Sequence, residues 1–202
     1  MKILFISLVL YMCSIEIYSQ SIFFKESESG FHISGQFASA DGATILGILP
    51  GYTSKGKLTF GLGLVLEKNT GLDINIAGVR SFISYLAIKQ NDNSSPVSVN
   101  LGAAWLYNSF SGFDRITANR LDIGAEIYHQ ITAGNNFVLI PGGSVGWSSS
   151  NVNYKRLSES KSGISYGLSL SGKFDKFYVT PSLSFSKGNS RFNLIFGIIF
   201  PK

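Results

Sequence analysis

From Gly30 onward, apolar and polar residues alternate in short runs. A clear run spans residues 192–200. Phe192, Leu194, Phe196, Ile198 and Phe200 fall on one side of it, and Asn193 and Gly197 on the other, where Ile195 and Ile199 leave that side only partly polar. A period of two is the spacing of a β-strand. An aromatic-rich stripe of this length suits a strand that faces lipid. A strand in lipid has no water to satisfy its edges, so its sheet must close on itself.

Read for the same alternation, the chain divides into about ten segments. They lie near residues 30–40, 43–53, 57–67, 72–89, 97–108, 119–131, 137–148, 163–173, 177–186 and 192–200. The third sets Leu58, Phe60, Leu62, Leu64 and Leu66 against Thr59, Gly61, Gly63 and Val65. The fifth sets Val97, Val99, Leu101, Ala103, Trp105 and Tyr107 against Ser98, Asn100, Gly102, Ala104 and Asn108. In the fourth, Leu72, Ile74 and Ile76 face one way, with Asp73, Asn75 and Ala77 opposite. Arg80 then falls on the apolar side, and a bulge near Gly78 restores the phase. The count becomes eight if the first two segments or the fourth are not strands.

The connections alternate in length. Residues 54–56, 90–95, 132–136 and 174–176 make short turns at one end. At the other end, 109–118 and 149–162 make the longest loops. Short periplasmic turns and longer outer loops are the asymmetry of a membrane barrel. Tyr52, Tyr85, Trp105, Tyr107, Trp147, Tyr154 and Tyr166 lie mostly near segment ends, where aromatic girdles form. The expected fold is all-β: a transmembrane antiparallel up-and-down barrel of ten strands.

The N-terminus agrees with that location. Lys2 precedes an apolar run over residues 3–12, interrupted only by Ser7, and Ser19 is the expected last residue before cleavage. Residues 1–19 read as a secretory signal peptide, too short to span a bilayer, and 20–202 as one barrel domain. Cys13 is the only cysteine and lies within the signal, which leaves the expected mature chain without disulfides, thiolate metal sites or a cysteine nucleophile. Only 14% of residues are charged against 45% hydrophobic, and Gly numbers 22, a balance that fits an apolar exterior around a Gly/Ser/Asn interior. The formal charge of +5 is spread over single Lys and Arg residues, so no nucleic-acid footprint emerges.

The signal peptide, the alternating segments and the closing strand at 192–200 together resemble the small outer-membrane β-barrel proteins of Gram-negative bacteria, the OmpA/OmpX-like group. Gln20 at the mature start resembles exported proteins of the Bacteroidetes type. The resemblance implies the cell outer membrane, with lipid and lipopolysaccharide outside and recognition of the last strand by the barrel-assembly machinery. The family's last strand ends on an aromatic residue, whereas Pro201 and Lys202 follow Phe200 here.

Asp73, Asp122, Glu126, Lys173 and, with the bulge, Arg80 are the candidate interior charges. They fit either a lumen that selects small solutes by charge or ion pairs that fill a narrow barrel, and a barrel of this size favours filling. Asn153, Tyr154, Lys155 and Arg156 are candidate outer-loop contacts for a partner. His129 with Glu126 and a neighbouring serine would be the hydrolase alternative, but no catalytic motif supports it. No cofactor, metal or enzymatic activity is expected. The expected role is structural or a narrow passive pore for small solutes. The rivals are an adhesion or ligand-binding barrel acting through its outer loops, a lipid- or peptide-processing enzyme, and a soluble lipocalin-like barrel.

Overall fold

The computed structural model describes residues 20–40, 43–69, 74–91, 94–110, 116–133, 136–154, 157–187 and 189–202. Among these, a short 3-10 turn, Gln20–Phe23, precedes the strands. The strands are β1 (Gly30–Ala40), β2 (Ala43–Ser54), β3 (Leu58–Asn69), β4 (Ile74–Ile88), β5 (Ser98–Phe110) and β6 (Ile116–Tyr128). Then come a two-residue β7 (Ile131–Thr132), β8 (Phe137–Tyr154), β9 (Leu157–Phe174), β10 (Phe177–Ser186) and β11 (Asn189–Pro201). Ten long strands form a closed antiparallel barrel, and β7 only continues the pairing of β6 along the start of β8.

Closure involves both halves of the chain. β1 pairs with β11 from Gly30↔Pro201 to Ser39↔Phe192, and β6 pairs with β8 from Ile116↔Tyr154 to Tyr128↔Gly142. Each long strand therefore has a neighbour on both sides, which removes the open edges that lipid forbids. Pro50 and Pro181 lack an N–H, and the ladder skips them on one side, between Ile48↔Leu64 and Gly51↔Gly61 and between Val179↔Gly172 and Ser182↔Ser169. Lys55 and Gly56, both at positive φ, make the tight turn between β2 and β3, with the Lys57 amide donating to the Ser54 carbonyl at 3.0 Å.

The apolar stripes face outward. Leu62, Leu64 and Leu66 on β3 are about 60% exposed, as are Leu168 on β9 and Ile48 on β2. Aromatics ring the end where β1 starts and β11 finishes: Phe31, Phe60, Tyr85, Phe174, Phe177 and Phe200 are all exposed there. Across β1, β2 and β3 they touch, with Phe31 and Tyr52 centroids 4.9 Å apart and Tyr52 and Phe60 5.9 Å apart. Trp105, Tyr107, Trp147 and Tyr166 lie toward the opposite rim and are likewise exposed. An outward apolar band between two aromatic girdles is a lipid-facing surface.

Ten strands close the barrel, as expected. Three expectations are corrected. β4 keeps one phase, with Ile76, Gly78, Arg80, Ser84 and Leu86 all buried on the inside, and its irregularity lies between Leu86 and Ile88, not at Gly78. Ile76 faces inward because apolar side chains close this end of the lumen. The polar stretch 149–162 is not a loop: β8 and β9 continue through it as a hairpin paired from Ser149↔Ser162 to Tyr154↔Leu157. The other outer connection is also shorter than expected, since β5 runs to Phe110 and β6 starts at Ile116.

Candidate functional site

The lumen is the natural place to look, and its inward residues come from every second position of each strand. It is filled in three levels.

At the end where β1 starts, the segment of residues 20–24 enters the barrel. Phe23 and Phe24 are 3% and 2% exposed and cluster with Tyr128, Ile140, Tyr178, Ile195 and Ile199. Phe23 stacks on Tyr178 with centroids 4.4 Å apart. Two lysines hold the segment's backbone: Lys173 Nζ donates to the Phe23 carbonyl at 2.7 Å and Lys89 Nζ to the Phe24 carbonyl at 3.1 Å. Burial pushes the Lys89 ammonium below the usual lysine value, and Glu26 and Glu28 pull it back up. Sequence reasoning missed this plug. Its signal was the apolar triplet Ile22, Phe23 and Phe24, which sits between the signal peptide and the first strand and belongs to neither.

Above the plug lies a cavity of about 40 Å³. Hydroxyls of Ser144, Ser169, Ser171, Thr180, Ser182 and Ser184 line it together with Glu126, which accepts a hydrogen bond from the Tyr128 hydroxyl. Across the lumen, the buried His32 ring rests on Gly51, where a Cβ would come within 2.4 Å of Nε2. Thr53 and Thr59 share a hydrogen bond of 2.9 Å.

Toward the outer end, five charged side chains meet. Glu67 of β3, Arg80 of β4, Arg120 and Asp122 of β6 and Arg191 of β11 surround a second cavity of about 30 Å³. All are less than one-tenth exposed. Arg120 Nε donates to Asp122 Oδ1 at 2.5 Å, and Arg191 lies close enough to Glu67 to attract it. Ala38, Ile45 and Val65 pack with Leu106 to close this end.

The expected lumen charges are thus divided. Asp122 belongs to the outer cluster and Glu126 to the hydroxyl cavity. Asp73 lies outside the described residues, and the odd positions that follow it on β4, Asn75, Ala77 and Val79, face outward. Lys173 reaches inward, to the plug, and Arg80 reaches inward without a bulge. Glu67, Arg120 and Arg191 went unremarked, although each continues the polar phase of its own segment by a residue or two.

Of the outer contacts, Asn153 is exposed near the tip of the β8–β9 hairpin, where Tyr154 pairs with Leu157. Lys155 and Arg156 lie outside the described residues. Below the tip, Asn151 clamps the hairpin, donating to Ser160 Oγ and accepting from Ser158 Oγ, each at 3.1 Å. His129 sits exposed beyond the end of β6, where its Nδ1 donates to the Pro96 carbonyl at 2.8 Å. Among the described residues, no group of three or more His, Cys, Asp and Glu side chains is placed to hold a metal ion.

No protein-family model matches the chain, and no curated protein matches it. Solved structures do. The KdgM porin in complex with disordered oligogalacturonate is similar at 14% identity over 84% of this chain and 99% of that one, with a TM-score of 0.41. The N-terminal β-barrel domain of Pseudomonas aeruginosa OprF matches at 15% identity over 87% and 98%, with a TM-score of 0.40. Ail, the attachment invasion locus protein of Yersinia pestis, matches at 16% identity over 88% and 100%, with a TM-score of 0.43. All three are outer-membrane β-barrels.

Proposed function

We propose that this protein is a closed structural barrel of the outer membrane, not a diffusion channel. The observation that carries the reading is the burial of its inward polar side chains: Asn100 and Asn193 at 0%, His32 at 1% and Arg120 at 5% exposure. Side chains lining a water-filled pore would be wet. The test is single-channel conductance of refolded protein in a planar bilayer. Electrical silence from folded barrels is expected, and a steady, reproducible current would overturn the reading in favour of a narrow pore for small solutes.

A second reading concerns the outer face. On its β8 side, β9 is paired from Leu157 onward, but on its β10 side only from Ser165, so the hairpin stands above its neighbour with a polar surface of Ser, Asn and Lys side chains. Such a projection suits adhesion or ligand binding. Replacing residues 149–162 with a two-residue turn should abolish attachment of cells that carry the protein, and unchanged attachment would end the idea.

Catalysis is not part of the proposal. His129 engages a backbone carbonyl at the rim, and Glu126 engages Tyr128 within the lumen. His129→Ala should leave outer-membrane lipid and peptide hydrolysis unchanged. Export with cleavage before Gln20 rests on the apolar run over residues 3–12 and on Ser19, and the mass of the mature chain tests it. The OmpA/OmpX-like and Bacteroidetes-type affiliation rests on that signal peptide, on Gln20 and on the closing strand. The proposed partners are lipid and lipopolysaccharide at the aromatic girdles, and the assembly machinery at β11.

A further inference from the structure

Resting on the adhesive reading of the β8–β9 hairpin, we propose that its partner is a second copy of this protein on a facing membrane. The two copies join edge to edge through β9.

β9 is paired with β8 from Phe137↔Phe174 to Tyr154↔Leu157, but with β10 only as far as Ser186↔Ser165. Among the described residues, nothing pairs with the β10 side of β9 from Leu157 to Ile164. The two-residue turn after Phe174 makes Phe174↔Phe177 a hydrogen-bonded pair, so the even-numbered residues of β9 direct their N–H and C=O groups to that side. Ser158, Ser160, Ser162 and Ile164 therefore carry a free row of backbone donors and acceptors. The row is held in order. Its register with β8 runs on without a bulge, no proline interrupts it, and Asn151 ties down Ser158 and Ser160. An ordered, unpaired edge is a template for another strand.

Two copies of one edge join antiparallel about a two-fold axis normal to the sheet, and facing residues then have the same parity. Centred on Ser160, such a pairing sets Ser158 against Ser162 and Glu159 against Lys161, each twice by symmetry. Centring it on Glu159 sets two carboxylates face to face, and centring it on Lys161 sets two ammonium groups face to face. Like charges directly opposite destabilise a sheet, so the registers on either side are disfavoured. Length selects the same register. Ser160 lies at the middle of the free stretch, and the pairing runs from Leu157 to Gly163 of each copy. Each hairpin tip then reaches the step where the other copy's β9–β10 ladder ends at Ser165. The even residues make the hydrogen-bonded pairs, which leaves Glu159 and Lys161 at the closer, non-hydrogen-bonded positions. A lysine guards an edge against foreign strands, and here Lys161 admits its own complement. An axis normal to the barrel wall lies in the membrane plane, so the two barrels point in opposite directions, as on two apposed cells.

The test uses cells that carry the full chain in an outer membrane whose lipopolysaccharide lacks long glycan chains. A shift of gel migration on heating reports the folded barrel in every variant. Cells with the parental protein should clump and settle, and cells without it should stay dispersed. Glu159→Lys and Lys161→Glu each set like charges opposite one another and should slow clumping about tenfold or more. Cells of these two variants, once mixed, should clump with each other, and both changes in one chain should restore clumping. Ser160→Pro removes an N–H that points to the free edge and spares the ladder to β8, so it should abolish clumping, and it decides should the charge variants fail to fold. Parental cells that stay dispersed would overturn the proposal. So would clumping indifferent to both charge reversals, or mixed variants that do not join. If parental cells stay dispersed while removal of residues 149–162 abolishes attachment to other surfaces, the adhesive reading stands and the self-pairing falls. If that removal ends clumping but leaves attachment to other surfaces unchanged, the self-pairing stands and the wider reading falls.

Discussion

The lumen is packed by pairing a large inward side chain with an inward glycine on the next strand. His32 lies on Gly51, Phe82 on Gly61, and the Tyr178 ring on Gly197. A small barrel has little room inside, and a Cβ at these positions removes it. At Gly197 the added carbon would come 2.4 Å from the Tyr178 hydroxyl and 2.6 Å from the Ile33 carbonyl. That hydroxyl also bonds Ser34 at 2.5 Å, so the ring is not free to swing away. Gly197→Ala should therefore destabilise the barrel by about 1–3 kcal/mol, read from urea unfolding in micelles. Combined with Tyr178→Ala, the loss should fall short of the sum, because the ring's part of the clash is gone. The Arg120–Asp122 pair gives a sharper expectation. Arg120→Met strands a buried carboxylate and should cost about 3–5 kcal/mol, whereas the double change Arg120→Met with Asp122→Leu should cost less than the single one. A double variant as unstable as the sum of both singles would show that the two side chains do not act as a pair. The parity of these positions was legible in the sequence, since Asp122 and Glu126 oppose Leu121 and Ile123 and point inward as that requires. Height along the barrel was not. Alternation tells inside from outside, but strand tilt and register decide which inward residues meet, so Asp122 and Glu126 part company while Glu67 and Arg191 meet.

Among the elements, the departures from expectation have a common physical origin. Alternation is visible only where the two faces of a strand meet different surroundings. Residues 149–162 carry polar side chains at most positions of both faces, and the strand signal vanishes although the ladder continues. In β4 the reverse holds. Ile76 is buried inside and lines the outer cavity with Ile45 and Val65, so an inward position reads as apolar and the phase is misassigned. The plug is a third case. A segment of five residues is too short to show a period, yet it buries two phenylalanines, and burying each stabilises the fold by about 1.5–3 kcal/mol. Phe23→Ala removes the stack on Tyr178 and leaves a gap at the mouth. It should lower stability by about 3 kcal/mol or more, while β1 to β11 stay paired. With Phe24→Ala added, the segment should become a target for limited proteolysis near Lys25, because its side-chain anchors are then lost. A double variant as protease-resistant as the parent would mean that the Lys89 and Lys173 hydrogen bonds alone suffice to hold it.

For the molecule as a whole, the arrangement of polarity is the reverse of a water-soluble barrel. Ser, Thr, Asn, His and Arg lie inside, while Leu, Ile, Val and Phe cover the outside. Composition hinted at this, since 14% charged residues cannot dress a soluble surface generously, but only closure and the outward direction of the stripes turn the hint into an architecture. A lipocalin-like barrel would bury these stripes around a ligand and keep its outer face wet. Depth-dependent charge insertion separates the two arrangements energetically. Leu58 and Leu64 both face outward on β3, but Leu58 opens the strand at the aromatic rim and Leu64 sits near its middle. In lipid vesicles, Leu64→Arg should cost about 2–4 kcal/mol and Leu58→Arg no more than about 1, because a long cationic side chain near the rim reaches the headgroups and one at mid-depth does not. If water wetted the outer wall, the two substitutions would cost alike and little. A steep difference between them, vanishing when lipid is exchanged for a short-chain detergent that thins the apolar belt, would locate the bilayer on this wall residue by residue.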